Sequence, residues 1–443
     1  MAGIRDAHPG REAARVPSRR DRLAGLPWAR RRHRRVRRRA GRPVPEGVRR
    51  GAGRVNSPHI IEVRRYSRDV TWRTTWEFAE VVLSDGTVGL GEWSDAGAWQ
   101  LAHASIDARA GRLIRLPLEA ALTQIRAEAE EVGRRDPRSH PHRRLELTVL
   151  GGLDAALCDL AAQHAGSSLS AWLVSQAGAE AQGAARAGSQ DAPVADIRCY
   201  GNINRAVHIR TVDSVVRVAK EALAAGFTRL KLAPFDFLVG ARRISAGLEL
   251  AAAVRDAVGT ETELMLDLHN QLSVDEILAV RDELQALDLR WLEDVAPLHD
   301  VDAHRRVRDE IGVPLAAGEF AASPAELRPL LDAGALNVVM PDVKHAGGPR
   351  RALELARFAG RHGVEVSPHN PTGPVASAHT AMLCRAVSPH GLLELALLET
   401  EDRQAIVDPP ETTVSGAYVS PAGPGLGVRL AAAGTWSSVQ RIR

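Results

Sequence analysis

Two hydrophobic periodicities divide the chain into two regions. From residue 59 to residue 93, apolar and polar positions alternate, which predicts antiparallel strands joined by a hairpin turn at Asp85-Gly86. A period near 3.6 residues then predicts three helices. We place them at Leu101–Leu116, Leu118–Val132 and residues 151–173. The combination predicts an α+β domain over residues 56–195.

From residue 196 onward, short apolar runs alternate with helical segments. Eight runs are recognisable, the first in RCYGNIN and the last in GLLELAL, and glycines such as Gly226 end the helices between them. One strand followed by one helix, repeated, is typical of a parallel sheet closed into a β/α barrel. We therefore predict a barrel over residues 196–400. We expect the Pro- and Gly-rich segment 401–443 to return to the first domain.

Three carboxylates are evenly spaced within the barrel region. Asp267, Glu293 and Glu319 lie 26 residues apart, and each follows an apolar run. This interval is about one strand–helix unit, so it predicts that the three side chains end successive parallel strands, at the rim where barrel active sites are built. Hard oxygen ligands without a nearby thiolate favour Mg²⁺ or Mn²⁺. A helix cap or solvated loop would explain any one of them, but the equal spacing disfavours it for all three.

Two basic residues are candidates for proton transfer at the same rim. Lys231 lies near the end of the second strand, and His369 lies 27 residues after Asp342, again one barrel unit. Since the strands that end at Asp342 and His369 would be neighbours, Asp342 could orient His369 and stabilise its protonated form. A surface cation and a structural histidine are the alternative interpretations. A metal-bound carboxylic acid flanked by Lys231 and His369 could lose its α-proton.

Three further residues follow rim positions. His269 lies two residues beyond Asp267 and would share its side of the strand if the strand continues that far, so it could protonate a departing hydroxide. Lys344 and Asn370 lie one or two residues past Asp342 and His369, at the ends of later strands, and are candidate substrate contacts. The alternative is that both are ordinary loop residues.

The composition is that of a large protein with an unusual first segment. The 443 residues are 44% hydrophobic and 25% charged, enough for a barrel and a second domain. Three scattered cysteines lack metal-type spacing, which predicts a reducing, cytoplasmic location and no disulfide framework. No apolar run reaches membrane-spanning length, so we expect no membrane partner.

Residues 1–55 hold eighteen arginines, no lysine and four acidic residues, roughly +14, which leaves roughly −10 for the rest of the chain. Three interpretations stay open: an arm for nucleic acid, a disordered tail that cannot bury a core, and an over-extended start with the chain beginning near Val55. We expect a disordered Arg-rich tail and do not expect nucleic-acid binding.

The barrel motifs resemble those of the enolase superfamily, specifically its mandelate racemase-like branch, over roughly residues 57–430. The resemblance lies in RLKLAPFD, MLDLHN, WLEDV, AAGE, VVMPDVKHAGG and VSPHNPTGPVA, followed by LLELAL. It implies a modified TIM barrel, (β/α)7β, with an α+β capping domain built from N-terminal and C-terminal segments. It also implies one Mg²⁺ per active site, with Mn²⁺ as an alternative, held by Asp267, Glu293 and Glu319.

The resemblance assigns roles to further residues. It implies an Asp342–His369 dyad and Lys231 as two bases on opposite faces of the substrate, and it implies that Glu394 contacts the substrate carboxylate. Arg229 stands where the family has the first lysine of Lys-x-Lys, and arginine supplies charge there without a titrating amine. We place Arg229 among the substrate-binding residues.

The segment Asp267-Leu268-His269 resembles the acid-sugar dehydratases of galactonate dehydratase type. The implied reaction is dehydration of an aldonate or aldarate: removal of the α-proton through a metal-stabilised enediolate, loss of the 3-hydroxyl, and formation of a 2-keto-3-deoxy acid. A racemase or epimerase of the same superfamily is the alternative, because two bases on opposite faces permit it.

Nucleic-acid binding through the Arg-rich arm is the alternative of another class, although no recognised binding module accompanies the arm. The substrate is expected to be a small-molecule acid sugar, and the enzyme a homo-oligomer. Selectivity in the family comes from capping-domain loops, here residues 68–74 and 96–104, where Trp72 and Arg73 could reach a sugar acid.

Overall fold

The computed structural model describes residues 57–176, 195–387, 391–432 and 434–443. The Arg-rich tail predicted over residues 1–55 lies outside the described residues. So do residues 177–190, whose Ala-, Gly- and Ser-rich composition predicts a flexible loop or linker. In the described part, no helix is long and apolar enough to cross a membrane. The three cysteines are buried free thiols.

The described chain begins with three strands and four helices. These are β1 (Ile60–Asp69), β2 (Thr75–Leu83), β3 (Val88–Glu92), α1 (Trp99–Leu113), α2 (Leu118–Gly133), α3 (Arg143–His164) and α4 (Leu169–Gln176). Eight strands alternating with helices follow. They are β4 (Ala195–Asn202), α5 (Val212–Ala224), β5 (Arg229–Leu232), α6 (Arg243–Val258), β6 (Glu263–Asp267), α7 (Val274–Ala279), α8 (Arg281–Ala286), β7 (Leu289–Glu293), α9 (Val301–Ile311), β8 (Leu315–Ala317), α10 (Pro324–Asp332), β9 (Val338–Val339), α11 (Pro349–Arg361), β10 (Glu365–Val366), α12 (Pro374–Val387) and β11 (Leu393–Ala396). The C-terminal strands are β12 (Val407–Asp408), β13 (Thr413–Val414), β14 (Ala417–Val419), β15 (Arg429–Leu430) and β16 (Ser438–Ile442).

The eight strands β4 to β11 form the predicted (β/α)7β barrel. Parallel pairing runs in chain order from β4 to β10, and β11 pairs with β4 on the other side. Between β10 and β11 the described residues contain no ladder pairs. There, Ser367 Oγ donates to Leu392 O at 3.3 Å and Asn370 N donates to Glu394 Oε2 at 2.8 Å. These bonds connect the segment after β10 with the region of β11, the seventh and eighth strands of the barrel.

The capping domain contains segments from both ends of the described chain. Its antiparallel sheet has the order β16-β1-β2-β3, and the register pairs Tyr66 of β1 with Val439 of β16. The last strand therefore completes a sheet begun almost four hundred residues earlier. This confirms the architecture implied by the resemblance.

Helix α3 packs between the capping sheet and the barrel, and nearly all of its residues are buried. A Cβ added at Gly151 would lie 2.2 Å from Lys344 O, and one at Gly152 would lie 2.7 Å from Trp93 Cβ. Only glycine permits this close approach. The single helix predicted over 151–173 was wrong, because a turn with Gly166 at φ 63° separates α3 from α4.

Apolar and aromatic side chains fill the barrel below its C-terminal rim. One cluster of buried residues consists of Tyr200, Met265, Trp291, Ala316, Val338, Met340 and Leu392. Tyr200 and Trp291 meet edge to face, with 5.5 Å between ring centroids. The packed interior forms a dry floor beneath the polar residues of the rim.

Candidate active site

Two of the evenly spaced carboxylates end neighbouring strands, and the third follows the next one. Asp267 and Glu293 are register partners at the ends of β6 and β7, and Glu319 lies two residues after β8. All three side chains are buried. The barrel repeat therefore places these carboxylates at one rim, as the interval of 26 residues predicted.

Lys231 rises from β5 into this acidic region. Its Nζ lies 2.7 Å from Glu293 Oε1, 2.7 Å from Glu394 Oε1 and 3.5 Å from Asp267 Oδ2. Burial opposes the charged amine, but Glu293 and Glu394 raise the pKa of Lys231 well above its usual value. Lys231 therefore holds its proton and offsets part of the negative charge.

His369 and Asp342 form the predicted dyad. His369 Nδ1 lies 2.9 Å from Asp342 Oδ2, and Nε2 lies 2.8 Å from Glu319 Oε2. Burial disfavours the imidazolium, but Glu319, Glu394 and Asp342 raise the pKa of His369 to about 10. Asp342 therefore holds the ring through Nδ1, and Nε2 is the nitrogen that points towards Glu319.

His269 bridges two carboxylates at the cavity surface. Its Nε2 lies 2.9 Å from Asp267 Oδ2 and its Nδ1 lies 2.7 Å from Asp236 Oδ1. The parity argument for its position was wrong, because β6 ends at Asp267 and the chain enters the left-handed region at His269, with φ 44°. A non-glycine residue in that region is strained, and such strain is concentrated at functional sites.

A cavity of about 430 Å³ opens at this rim between barrel and capping domain. Five predicted residues line it: Lys231, Asp267, His269, Glu319 and His369. Glu293 lies behind Lys231, where it also accepts a hydrogen bond from Trp291 Nε1 at 3.1 Å, and its neighbour Asp294 lines the cavity instead. The rim thus presents carboxylates, an ammonium and two imidazoles to one space.

Known proteins resemble this chain in sequence and in fold. Residues 214–433 match the model of the enolase C-terminal domain-like family. That match covers β5 to β11, seven of the eight barrel strands. The chain is 28% identical to D-galactarolactone cycloisomerase of Agrobacterium fabrum over 366 residues, which cover 79% of this chain and 88% of the relative. It is 30% identical to D-galactonate dehydratase of Verminephrobacter eiseniae over 185 residues, 41% of this chain and 47% of the relative.

A solved structure shows the same fold over most of the chain. It is the mandelate racemase/muconate lactonizing enzyme-like protein from Rubrobacter xylanophilus, with a TM-score of 0.70 and 24% identity. The match covers 85% of this chain and 96% of that protein. The family match and the curated relatives confirm the predicted resemblance to the enolase superfamily and the prediction of an enzyme.

The position of Arg229 shows that its prediction as a substrate-binding residue was wrong. Arg229 pairs in register with Glu263 at the start of β6, and its side chain contacts the Glu263 carboxylate. Asp267 lies four residues further along β6, roughly 13 Å away at 3.3 Å per residue. Arg229 therefore lies at the opposite end of the strand and does not line the cavity, because alternation determines the side of a strand but not the depth.

Three other predicted substrate contacts are buried behind the cavity wall. Lys344 Nζ lies 2.9 Å from Asp342 Oδ2, Asn370 donates through Nδ2 to Ser377 Oγ at 3.0 Å, and Glu394 accepts from Asn202 Nδ2 at 2.7 Å. None of the three lines the cavity. They contact residues of the site rather than its open space.

Sequence reasoning missed most of the cavity wall opposite the barrel rim. Arg144 at the start of α3, Arg205 after β4, and Asp95 after β3 all line the cavity. Arg73, noted as a possible sugar-acid contact, lines it as well. The sequence WSDAG does not predict the left-handed backbone of Asp95, φ 65°. For Arg205, only its position after a predicted strand could have indicated a place at the rim.

The predicted donors at the rim, Asp267, Glu293 and Glu319, have the chemistry of a site for a hard divalent cation, but among the described residues they do not form a group whose ligand atoms all lie within 4.8 Å of one another. Burial and the neighbouring charge of Asp267 raise the pKa of Glu293 well above its usual value, although Lys231 opposes this. A dication at this place would oppose both effects and favour the ionised carboxylate. Buried carboxylate oxygens are the ligands that Mg²⁺ and Mn²⁺ prefer.

Among the described residues, a group of three potential ligands with donor atoms within 4.8 Å of one another is Asp342, His345 and His369. Its chemistry fits a dication less well, because the buried ammonium of Lys344 already contacts Asp342 Oδ2. Burial, together with Arg144 and Lys344, also lowers the pKa of His345 to about 3 despite Asp342. Burial is the largest cause of this shift, so the argument against a dication here rests on the charges of Lys344 and Arg144 themselves.

Proposed function

We propose that this protein is a Mg²⁺-dependent dehydratase of acid sugars, forming 2-keto-3-deoxy acids from aldonates or aldarates. The observation that carries the proposal is the pair of imidazoles on one cavity. His369 and His269 are each held by a different carboxylate, Asp342 and Asp236. Elimination of water needs one group that takes a proton and one that gives a proton at the same time.

The proposed metal ligands are Asp267, Glu293 and Glu319. A bound Mg²⁺ or Mn²⁺ would withdraw electron density from the substrate carboxylate and so acidify the adjacent carbon. Lys231, buried against Glu293 and Glu394, adds a fixed positive charge on the same side of the cavity floor.

In the proposed reaction, the α-C–H bond breaks and its proton goes to His369 Nε2. Asp342 holds Nδ1 and stabilises the resulting imidazolium. The electron pair of that bond forms the new carbon–carbon double bond as the bond from C3 to its hydroxyl breaks. His269 protonates the departing oxygen, which leaves as water, and the enol tautomerises to the 2-keto acid.

A racemase or epimerase is the second candidate, and it needs Lys231 as a base on the other face. The geometry favours it less, because the Lys231 ammonium lies 2.7 Å from two carboxylates. His369 also contacts two carboxylates, so the preference for dehydration rests mainly on His269, which lines the cavity and would have no role as an acid in a racemase.

The test is a screen of acid sugars with Mg²⁺ that detects 2-keto acid, followed by proton exchange in deuterated water. His369→Asn is expected to abolish both elimination and α-proton exchange. His269→Asn is expected to impair elimination while exchange continues. Normal dehydration by His269→Asn, or conversion of acid sugars to epimers without keto acid, would favour the racemase.

A further inference from the structure

The cavity has a second charged wall, opposite the proposed reaction centre. Three arginines form it: Arg73 from the turn between β1 and β2, Arg144 from the first turn of α3, and Arg205 from the loop after β4. We call these three residues the arginine cluster. Two come from the capping domain and one from the barrel, so only the folded chain brings them together.

The arginine cluster has more positive charge than its neighbours offset. Arg144 Nη2 and Arg205 Nη2 contact the same oxygen, Asp95 Oδ2, at 3.3 and 3.2 Å. Arg73 Nη2 donates to the backbone oxygen of Asn204 at 2.6 Å, and its buried Nε has no partner among the described residues. One carboxylate therefore serves two guanidinium groups, and the third has none.

Two other carboxylates lie near the arginine cluster. Only Asp236 has a cationic partner at hydrogen-bond distance, whereas neither oxygen of Glu399 has a hydrogen-bond partner among the described residues, and burial raises the pKa of Glu399, which favours its neutral form. Asp236 contacts His269 at 2.7 Å, and Glu399 lies 3.6 Å from Arg403. Burial, and next the nearby charge of Arg205, lower the pKa of Arg73, although Asp236, Glu399 and Asp95 act in the other direction. An arginine in such surroundings favours an additional anion, and its planar fork matches a carboxylate.

We propose that the arginine cluster binds a second carboxylate, at the far end of the substrate, so that the preferred acid sugar is a diacid, an aldarate rather than an aldonate. This inference rests on the proposed function for the position of the first carboxylate, at the barrel rim. The two charged walls then hold the two ends of one molecule. Charge-assisted hydrogen bonds of this kind correspond to roughly 10- to 100-fold in affinity.

The experiment compares matched pairs that differ only at the terminal carbon: galactarate with galactonate, and glucarate with gluconate. Dissociation constants are measured by calorimetry in Mg²⁺ with the His369→Asn variant, which prevents turnover. We expect each aldarate to bind at least ~10-fold more tightly than its aldonate. In that background, Arg73→Gln or Arg205→Gln should weaken binding of the aldarate only. The ratio of the two dissociation constants should therefore approach one.

Arg210→Gln is the matched control, since Arg210 also donates to Asn204 O but does not line the cavity. It should leave the ratio unchanged. Arg144→Gln, at a more exposed position, repeats the test if the other variants do not fold. Equal affinities for aldarate and aldonate, or an equal loss for both in the variants, would overturn the subsite.

Two outcomes separate this proposal from the proposed function. If wild-type enzyme forms 2-keto acid from aldonates and aldarates alike, the subsite fails and the dehydratase stands. If aldarates bind with an arginine-dependent preference but yield no keto acid, the subsite stands and the dehydratase fails. Preference for 6-phosphogluconate over glucarate would show that the terminal anion is a phosphate, and would overturn the assignment to a diacid.

Discussion

His269 Nδ1 lies 2.7 Å from Asp236 Oδ1, although the two residues are 33 positions apart and belong to loops after different strands. Asp236 belongs to the long loop between β5 and α6, and its side chain is largely buried. The contact fixes the ring of His269 on the side away from Asp267. It gives the proposed acid a carboxylate partner, as Asp342 is the partner of the proposed base.

We predict that Asp236→Asn lowers the rate of dehydration by about 10- to 100-fold, because an amide can hold His269 in the wrong tautomer. Exchange of the α-proton with deuterated water should stay close to the wild-type rate, since it depends on His369. Nuclear magnetic resonance follows both processes in one sample. Asp275→Asn, at an 83% exposed side chain, is the control. Equal losses in both processes would contradict a role through His269.

We predict that Asp267→Asn weakens Mg²⁺ binding by at least ~100-fold, since loss of a direct ligand should exceed the loss of an outer contact. Calorimetric titration with Mg²⁺ measures this without any substrate. Chelation of the wild-type enzyme should abolish turnover, and Mg²⁺ or Mn²⁺ should restore it. Asp302→Asn on the exposed first turn of α9 should bind Mg²⁺ like the wild type. Unchanged Mg²⁺ affinity in Asp267→Asn would refute the assigned ligand set.

We predict that Gly151→Ala destabilises the protein by about 1–3 kcal/mol, because its new Cβ would overlap Lys344 O and push α3 away from the barrel. Gly111→Ala is the matched control: it is also helical, and a Cβ there meets nothing within 4 Å. It should stabilise the protein by roughly 0.5–1 kcal/mol, through the ordinary advantage of alanine in a helix. Chemical denaturation measures both. Equal effects would mean that the α3 contact is loose.

We predict an acid-labile contact between α12 and β3. His379 Nε2 lies 2.8 Å from Leu90 O, and burial lowers the pKa of His379 from 6.5 to about 4 despite this contact. Below pH 6.5 the unfolded chain binds a proton here that the folded chain does not bind until about pH 4. The stability from neutral His379 is therefore complete above pH 6.5 and is lost as the pH falls towards 4, by roughly 3 kcal/mol.

Denaturation curves of wild type and His379→Gln between pH 4 and pH 7.5 measure this contribution. Glutamine can still donate to Leu90 O but does not titrate, so its stability should depend less on pH in that interval. Since all other titrating groups are shared, the difference between the two curves isolates His379. Parallel curves would show that the pKa of His379 is the same in the folded and unfolded states.

We predict that a protein lacking residues 1–55 retains its kcat/KM, since the described residues that line the cavity begin at Arg73. Activity assays on both lengths of chain, with titration of duplex DNA, make the comparison. Loss of activity together with residues 1–55 would instead favour an arm that contributes to function.

The local period of the chain determined the barrel and much of its rim. Each strand–helix unit repeats over about 26 residues, so a carboxylate at the same phase of successive units reaches the same edge, as Asp267, Glu293 and Glu319 do. The same phase brought His369 to Asp342. Lys231 was also predictable, because it lies within a short strand next to the strand that ends at Asp267.

Only the tertiary structure decided which side chains reach the open space. The depth of Arg229 depended on where β5 and β6 come into register, and the left-handed turn at His269 depended on packing that no sequence period records. Asp95 and Arg205 meet across the junction of capping domain and barrel, more than a hundred residues apart in the chain. Local periodicity specifies neighbours along a strand or helix, whereas contacts between distant loops follow from how the two domains pack.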